Sequence, residues 1–281
     1  MWLKYHIMYG REVERMKRQN LHCHTTFDDG NNSPEEMINA AIGAGLTGIG
    51  VSLHCPLEGE DAWSCPAGEE QRFIDEMHRL REKYAGRIAV WCGLEYDMDA
   101  QRRSVPPYDY IIGSCHLLSG IPIDCDPDTA SHLISYHGGE ARAAQLYYDR
   151  LSAMAAYPEI AIVGHFDLLT KYNEHAVLYD TAAPAYRDAA FAAMETLSAA
   201  GKIFEINSGA ISRGWRTTPY PDAELLRHLK SIGGRVCISS DAHSAAAIDC
   251  AFDRCEALAR DCGFEELWQF DGRDFAPVPF I

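Results

Sequence analysis

The chain has 281 residues, 47% of them hydrophobic and 23% charged, a composition that excludes a disordered or fibrous protein. Asp and Glu outnumber Lys and Arg by 41 to 25, a formal charge of −16, which disfavours sequence-independent binding of a long nucleic acid. No apolar run reaches the roughly 18 residues that a membrane-spanning helix needs, and the mixed, charged opening from Met1 to Arg18 lacks the apolar stretch of a secretory signal.

Residues 1–15 are expected to be a dispensable extension, with Met16 as a candidate start and a single domain over 16–281. Residues 21–24 predict a first strand. A helix follows: Ser33 reads as its N-cap, Pro34 takes the first helical position, and Glu35 and Glu36 place acids in the first turn. It runs through Met37, Ile38, Ala41 and Ile42 and stops at Gly43 to Gly45. Further strands are predicted over 47–53, 88–94, 108–114, 160–164, 202–207 and 235–239. Helices are predicted between and after them over 69–84, 139–157, 184–200, 221–232 and 245–262. This alternation argues for a parallel α/β fold, and no linker or composition shift divides it. A barrel and an open doubly wound sheet both fit. Ten cysteines are spread along the chain without a Cys-x-x-Cys pair, which reads as reduced thiols in a cytoplasmic protein.

Polar residues at the strand ends decide between the two folds. The first predicted strand carries His22 and His24, with Asp29 in the loop beyond. The second ends in His54, the third in Glu95, the fourth in His116 and the fifth in His165. The seventh leads to Asp241 and His243. A barrel opens all its carboxyl ends on one face, whereas an open sheet spreads them along an edge, so convergence favours the barrel. His22 and His24 are two apart on extended chain and point the same way, as do Asp241 and His243; Cys23, Cys55 and Cys115 each neighbour a candidate ligand and face away. Such pairs, with a carboxylate able to bridge, suit two or three clustered divalent ions of Zn, Mn, Fe or Co. Any one of these histidines alone would more often be an ordinary hydrogen-bonded residue; the joint pattern reverses that judgement. His6, His78, His132, His137, His175 and His228 read as surface or structural groups.

The run His22-Cys23-His24-Thr25-Thr26-Phe27-Asp28-Asp29-Gly30 resembles the opening motif of the polymerase and histidinol phosphatase (PHP) superfamily. Later blocks agree: Val51-Ser52-Leu53-His54, Gly93-Leu94-Glu95, Ile112-Gly113-Ser114-Cys115-His116, Val163-Gly164-His165-Phe166-Asp167 and Ser239-Ser240-Asp241-Ala242-His243. Within the superfamily the chain is most similar to the monofunctional histidinol-phosphate phosphatases, through residues 113–124, 163–173 and 205–209, then Arg213 and Pro219-Tyr220-Pro221.

The resemblance implies a distorted (β/α)7 barrel and three metals. His22, His24, Glu95 and Asp241 would hold the first. The bridging Glu95 with His116 and His165 would hold the second, and Asp29, His54 and His243 the third. Some relatives carry histidine near position 29, and Asp28 is an alternative acid for the third site. The implied reaction is hydrolysis of a small phosphomonoester, L-histidinol phosphate first, by hydroxide generated between metals. Asp241, His243 and Arg213 are the expected catalytic residues, Arg213 and Arg216 the expected phosphate contacts, and Trp215 and Phe27 candidates for the imidazole side. Nucleotides or another phosphoester, or a noncatalytic metal-binding module, are the rival functions, and a monomer or a homodimer fits equally. Other phosphatase chemistries fail on residues: no cysteine has Arg six positions on, Gln101 breaks an aspartyl-phosphate motif at Asp97-Met98-Asp99, and no phosphate-binding loop ends in the lysine it needs.

Overall fold

The computed structural model describes residues 18–59, 63–100 and 107–280. The expected extension over 1–15 and the start at Met16 lie outside them. Seven parallel strands make one sheet in chain order: β1 (Gln19–Asn20), β2 (Gly48–His54), β3 (Ala89–Asp97), β4 (Tyr110–Ser114), β5 (Ile162–Val163), β6 (Ile203–Asn207) and β7 (Arg235–Ser239). A doubly wound sheet reverses its order at a switch point, and this one does not. Its last strand instead returns to its first. His24 N donates to Ala242 O at 2.9 Å beside a parallel bridge between Cys23 and Ala242, and Asn20 Nδ2 donates to Ser240 Oγ at 2.7 Å. The result is a nearly closed seven-stranded barrel, as expected.

Helices surround it: α1 (Pro34–Gly43), α2 (Glu70–Lys83), α3 (Pro127–Tyr136), α4 (Glu140–Ser152), α5 (Pro184–Ala199), α6 (Ala223–Ser231) and α7 (Phe252–Asp261). α1 begins with a capping box, Ser33 accepting from Glu36 N while the Glu36 carboxylate accepts from Ser33 N. No helix among the described residues is long and apolar enough to cross a membrane.

Strand alternation explains the layers. On β2 and β3, Ile49, Val51, Leu53, Val90, Cys92 and Leu94 face the helices and join the main core with Met37, Ile38, Phe73 and Met77. The intervening positions face the barrel axis. Trp91 and Tyr110 fill the lower interior with Leu21, Ile112, Ile162, Ile203 and Cys237. A Cβ on Gly93 would stand 2.3 Å from the Tyr110 ring, so this packing requires glycine there.

Three expectations are corrected. The first strand pairs at Gln19 and Asn20 rather than over 21–24, where Cys23 keeps a single bridge and His22 and His24 are freed for the barrel mouth. The helix expected over 221–232 begins at Ala223, because Asp222 caps it by accepting from the backbone N–H of Glu224 and Leu225. The last helix is split: Ala245–Ala247 is a 3-10 turn, and Ala251, at φ 57°, interrupts the chain before α7. Elements not expected include α3, the helical turn Gly209–Ser212, the short ribbon of Leu117–Leu118 with Ile121–Pro122, and a C-terminal hairpin of β8 (Glu266–Phe270) and β9 (Phe275–Pro279). The hairpin plugs the amino end of the barrel. Phe270 packs on Trp91 and Tyr110, and Gln19 brackets the Phe270 backbone, donating to its O at 2.7 Å and accepting from its N at 3.0 Å.

Candidate metal centre

At the carboxyl ends the inward positions turn polar, and side chains from six of the strands or the loops after them meet. Glu95 of β3 lies at the centre, 1% exposed. Its Oε2 is 3.2 Å from His22 Nε2 and 3.4 Å from His24 Nε2, and Asp241 Oδ1 is 3.6 and 3.4 Å from the same two nitrogens. Donor atoms sharing one tetrahedral ion at about 2.1 Å lie about 3.4 Å apart. On the other side, Glu95 Oε1 is 3.0 Å from His165 Nε2 and 3.5 Å from His116 Nε2, and the two imidazole nitrogens are 3.1 Å apart. Asp29 Oδ1 is 3.2 Å from His243 Nε2 and 3.7 Å from His54 Nε2. The structure thus brings together each of the three donor sets that the resemblance implied. His54 Nδ1 also stands 2.9 Å from Glu95 Oε2, so His54 borders two of them.

A second layer of carboxylates aims the imidazoles. The Nδ1–H of His22 donates to Glu205 at 2.8 Å, that of His24 to Asp28 at 2.9 Å, and that of His116 to Asp97 at 3.0 Å. Each bond fixes the tautomer that leaves Nε2 as a lone-pair donor. Asp28 also accepts from Thr25 N and His54 N. It therefore stands behind His24, while Asp29 faces the third set. Asp241 adopts a left-handed backbone, φ 48°, and its carbonyl lies 3.0 Å from His243 Nδ1.

Two observations test whether metal ions fit. First, His22 Nε2, His24 Nε2, Glu95 Oε2 and Asp29 Oδ1 are buried and make no hydrogen bond. Each such group costs about 1–3 kcal/mol, and a coordinated cation removes that cost. Second, the field is strongly anionic. Burial opposes charging the imidazoles, yet Glu205, Glu95 and Asp241 carry His22 well above its usual value, and His24 rises to about 10 chiefly through Asp28. Burial likewise opposes the carboxylates, yet the surrounding imidazoles hold Glu95, and Arg213 with the imidazoles holds Asp241, well below the usual range. Buried imidazole and carboxylate with no thiolate suit Zn, Mn or Fe.

The cluster forms the floor of a cavity of about 370 Å³, walled by Trp63, Leu117, Pro122, Asp124, Cys125, Leu168, Lys171 and Arg213. Arg213 reaches it but is already engaged: Nη2 donates to Asp241 Oδ2 at 2.8 Å and Nη1 contacts His243 Nδ1 at 3.1 Å. A Cβ on Gly209 would sit 2.6 Å from Asp241 Oδ2 and 2.7 Å from Arg213 Nη2, so this pair needs glycine beneath it. Arg216 is not brought to the cavity. It is 9% exposed, donates to Thr170 O at 3.2 Å and to Thr218 O at 3.3 Å, and stacks over Tyr220. Its loop lies near the site, but its side chain turns into the scaffold. Phe27 packs on Phe73, and Trp215 on Tyr172 and His175; the cavity's indole is Trp63 instead. Sequence reasoning missed Glu205, Asp97, Asp124 and Lys171 as site residues. Glu205, Asp124 and Lys171 lie within the blocks that carry the resemblance, which was the available signal.

A nearly closed barrel with such donors at its carboxyl face is built for metal-dependent hydrolysis. Residues 20–209 match the PHP domain, and the chain belongs to that family. It is 26% identical over 255 residues to a probable histidinol-phosphatase of Deinococcus radiodurans, covering 86% of this chain and 92% of that one. It is 25% identical over 268 residues to the histidinol-phosphatase of Lactococcus lactis, covering 92% and 96%. Among solved structures it resembles the histidinol phosphate phosphatase of Lactococcus lactis, crystallised with Zn, L-histidinol and phosphate. The TM-score is 0.76 at 21% identity, over 92% of this chain and 99% of that one. That likeness is one of fold, the PHP barrel.

Proposed function

We propose that the protein is a metal-dependent phosphomonoesterase that hydrolyses L-histidinol phosphate to L-histidinol and phosphate, the activity for which its relatives are named. The observation that carries this reading is the donor set itself. Overlapping groups of imidazole and carboxylate atoms, several of them buried and unpartnered, floor a cavity sized for a small phosphoester.

His22, His24, Glu95 and Asp241 would hold one ion, Glu95, His116 and His165 a second, and Asp29, His54 and His243 a third. When bound, divalent ions lower the pKa of water toward about 7 and draw charge from phosphoryl oxygens. The protein's own groups do the rest. Glu205, Asp28 and Asp97 keep three imidazoles in donor orientation. Arg213 holds the Asp241 carboxylate ionised and, by bonding its Oδ2, leaves Oδ1 facing His22 and His24. Arg213 also keeps Nε–H and one Nη2 hydrogen uncommitted. With ions held by these residues, the cavity would attract a phosphate dianion despite the net charge of −16, because distant surface charges are screened beyond about 8–10 Å. Every donor comes from one chain, so a monomer suffices for the chemistry. The free cysteines support a reducing, cytoplasmic setting.

The test is phosphate release from L-histidinol phosphate by protein of measured metal content, beside p-nitrophenyl phosphate, phosphotyrosine and nucleoside monophosphates. The expected kcat/KM exceeds about 10⁴ M⁻¹s⁻¹ and stands far above the others. Metal-loaded protein that ignores L-histidinol phosphate, or prefers another ester, would move the substrate elsewhere.

A further inference from the structure

Beyond the donor cluster the cavity wall changes character. A short ribbon, Leu117–Leu118 paired with Ile121–Pro122, brings Leu117 and Pro122 to the wall, with Leu168 beside them and Asp124 among them. Asp124 is the one carboxylate lining the cavity, among the described residues, that belongs to none of the metal-ligand groups.

It is firmly fixed. Lys171 Nζ donates to Asp124 Oδ2 at 2.8 Å and to the Asp124 carbonyl at 2.7 Å, and Tyr172 Oη donates to that carbonyl at 2.6 Å. Lys171 is itself only 7% exposed, so it acts as a buried clamp. Asp124 Oδ1 accepts no hydrogen bond from any described residue, while the side chain keeps 24% of its surface open. One oxygen is therefore locked, and the other is without a partner among the described residues on a side chain that lines the cavity. Asp124 lines the same cavity as His116 and Arg213, so a small molecule held at the donor cluster also meets Asp124.

A fixed carboxylate with one open oxygen, walled by Leu117, Pro122 and Leu168, suits a cation that brings its own carbon skeleton. The apolar walls take the skeleton, and a hydrogen bond between two charged groups is about twice as strong as a neutral one. In L-histidinol phosphate the ammonium sits on the carbon next to the one that bears the phosphoester oxygen. We infer that Asp124 Oδ1 binds this ammonium, and that Asp124 thereby selects amino-alcohol phosphates over phosphomonoesters without an amine. Lys171 is then a positioning residue. The inference rests on the substrate reading above.

The test compares L-histidinol phosphate with 3-(imidazol-4-yl)propyl phosphate, which lacks only the amine, using metal-loaded wild type, D124N and D124E of measured metal content. Wild type is expected to favour the amine substrate in kcat/KM by roughly 10- to 100-fold. D124N is expected to erase most of that ratio, chiefly by raising KM for L-histidinol phosphate, and D124E, which keeps the charge, to restore part of it. Wild type that treats the two substrates alike overturns the inference, and that arm stands even if D124N does not fold. A D124N protein that retains its metals and loses both activities by the same factor also overturns it. Turnover of p-nitrophenyl phosphate with both imidazole esters refused overturns the substrate reading itself, and the inference with it.

Discussion

The two ends of this barrel are made by the same strands and do opposite work. Along β3 the inward positions run Trp91, Gly93, Glu95, Asp97; along β6 they run Ile203, Glu205, Asn207; on β7 Cys237 and Ser239 lead to Asp241. The amino end is apolar and closed. Trp91, Tyr110, Ile162 and Ile203 pack into one cluster with Phe270 of the hairpin, and the Tyr110 hydroxyl is bonded to the Leu21 carbonyl. The carboxyl end is buried too, yet it holds His22 Nε2, His24 Nε2, Glu95 Oε2 and Asp29 Oδ1 without a hydrogen bond. Burial without bonding is a stability loss for a scaffold and an asset for a metal centre. The comparison therefore separates what the fold needs from what the chemistry needs.

Two substitutions would break the comparison most sharply. Glu95→Gln removes the charge shared by two donor sets. It should lower kcat/KM by about a thousand-fold or more, the several kcal/mol that bound metals supply, and reduce bound metal. The melting temperature in chelator should fall as well, because the imidazoles that hold Glu95 ionised in the metal-free fold lose that attraction when the side chain is neutral. Kinetics, metal content and melts in chelator measure all three; full activity with Gln at this position would remove Glu95 from the centre. Phe270→Ala strikes the other end. It should cost about 3–4 kcal/mol of stability by urea unfolding, while kcat per folded, metal-loaded molecule stays near wild type. If kcat collapsed at unchanged stability, the two ends would not be separable.

Asp97→Asn probes the seam between scaffold and chemistry. Asp97 is 2% exposed and accepts from both His116 N, at 2.8 Å, and His116 Nδ1. Losing the carboxylate behind a metal-ligating imidazole typically costs 10–100-fold in metal affinity or activity. Titrating metal back into stripped protein should show one weakened site among three. Equal weakening of all sites would mean that Asp97 supports the face as a whole.

The carboxyl end is legible in the sequence because imidazoles and carboxylates recur at one place relative to each strand, and strand geometry turns that recurrence into a cluster. The layer behind it is not. Glu205 holds His22 from 183 positions away, and a carboxylate that backs a histidine has no fixed spacing from it. Asp124 and Lys171 meet across 47 positions, which again leaves no local signal. The amino end is hidden for another reason. Pro277 and Pro279 interrupt the strand pattern of β9, and proline is tolerated there because an edge strand need not donate on its open side. α3 carried its signals, an Asp126 cap and Pro127 at the first turn, but they fall inside a segment that reads as loop.

Arg216 shows the same limit in one residue, and it gives the smallest predicted effect. Its loop follows β6 and borders the catalytic face, so sequence places its charge beside a phosphate. In the fold its donors are spent on Thr170 and Thr218, and its plane lies over Tyr220 at 4.7 Å. Lysine cannot reproduce that arrangement, because its three donors share one atom and it has no plane to stack. Arg216→Lys should therefore cost about 1–3 kcal/mol of stability, the penalty for leaving buried acceptors unmet. KM for the phosphoester and bound metal should stay as in wild type. A raised KM at unchanged stability would return Arg216 to the substrate and redraw the boundary between the two ends, for then a side chain packed as scaffold would be reading phosphate charge.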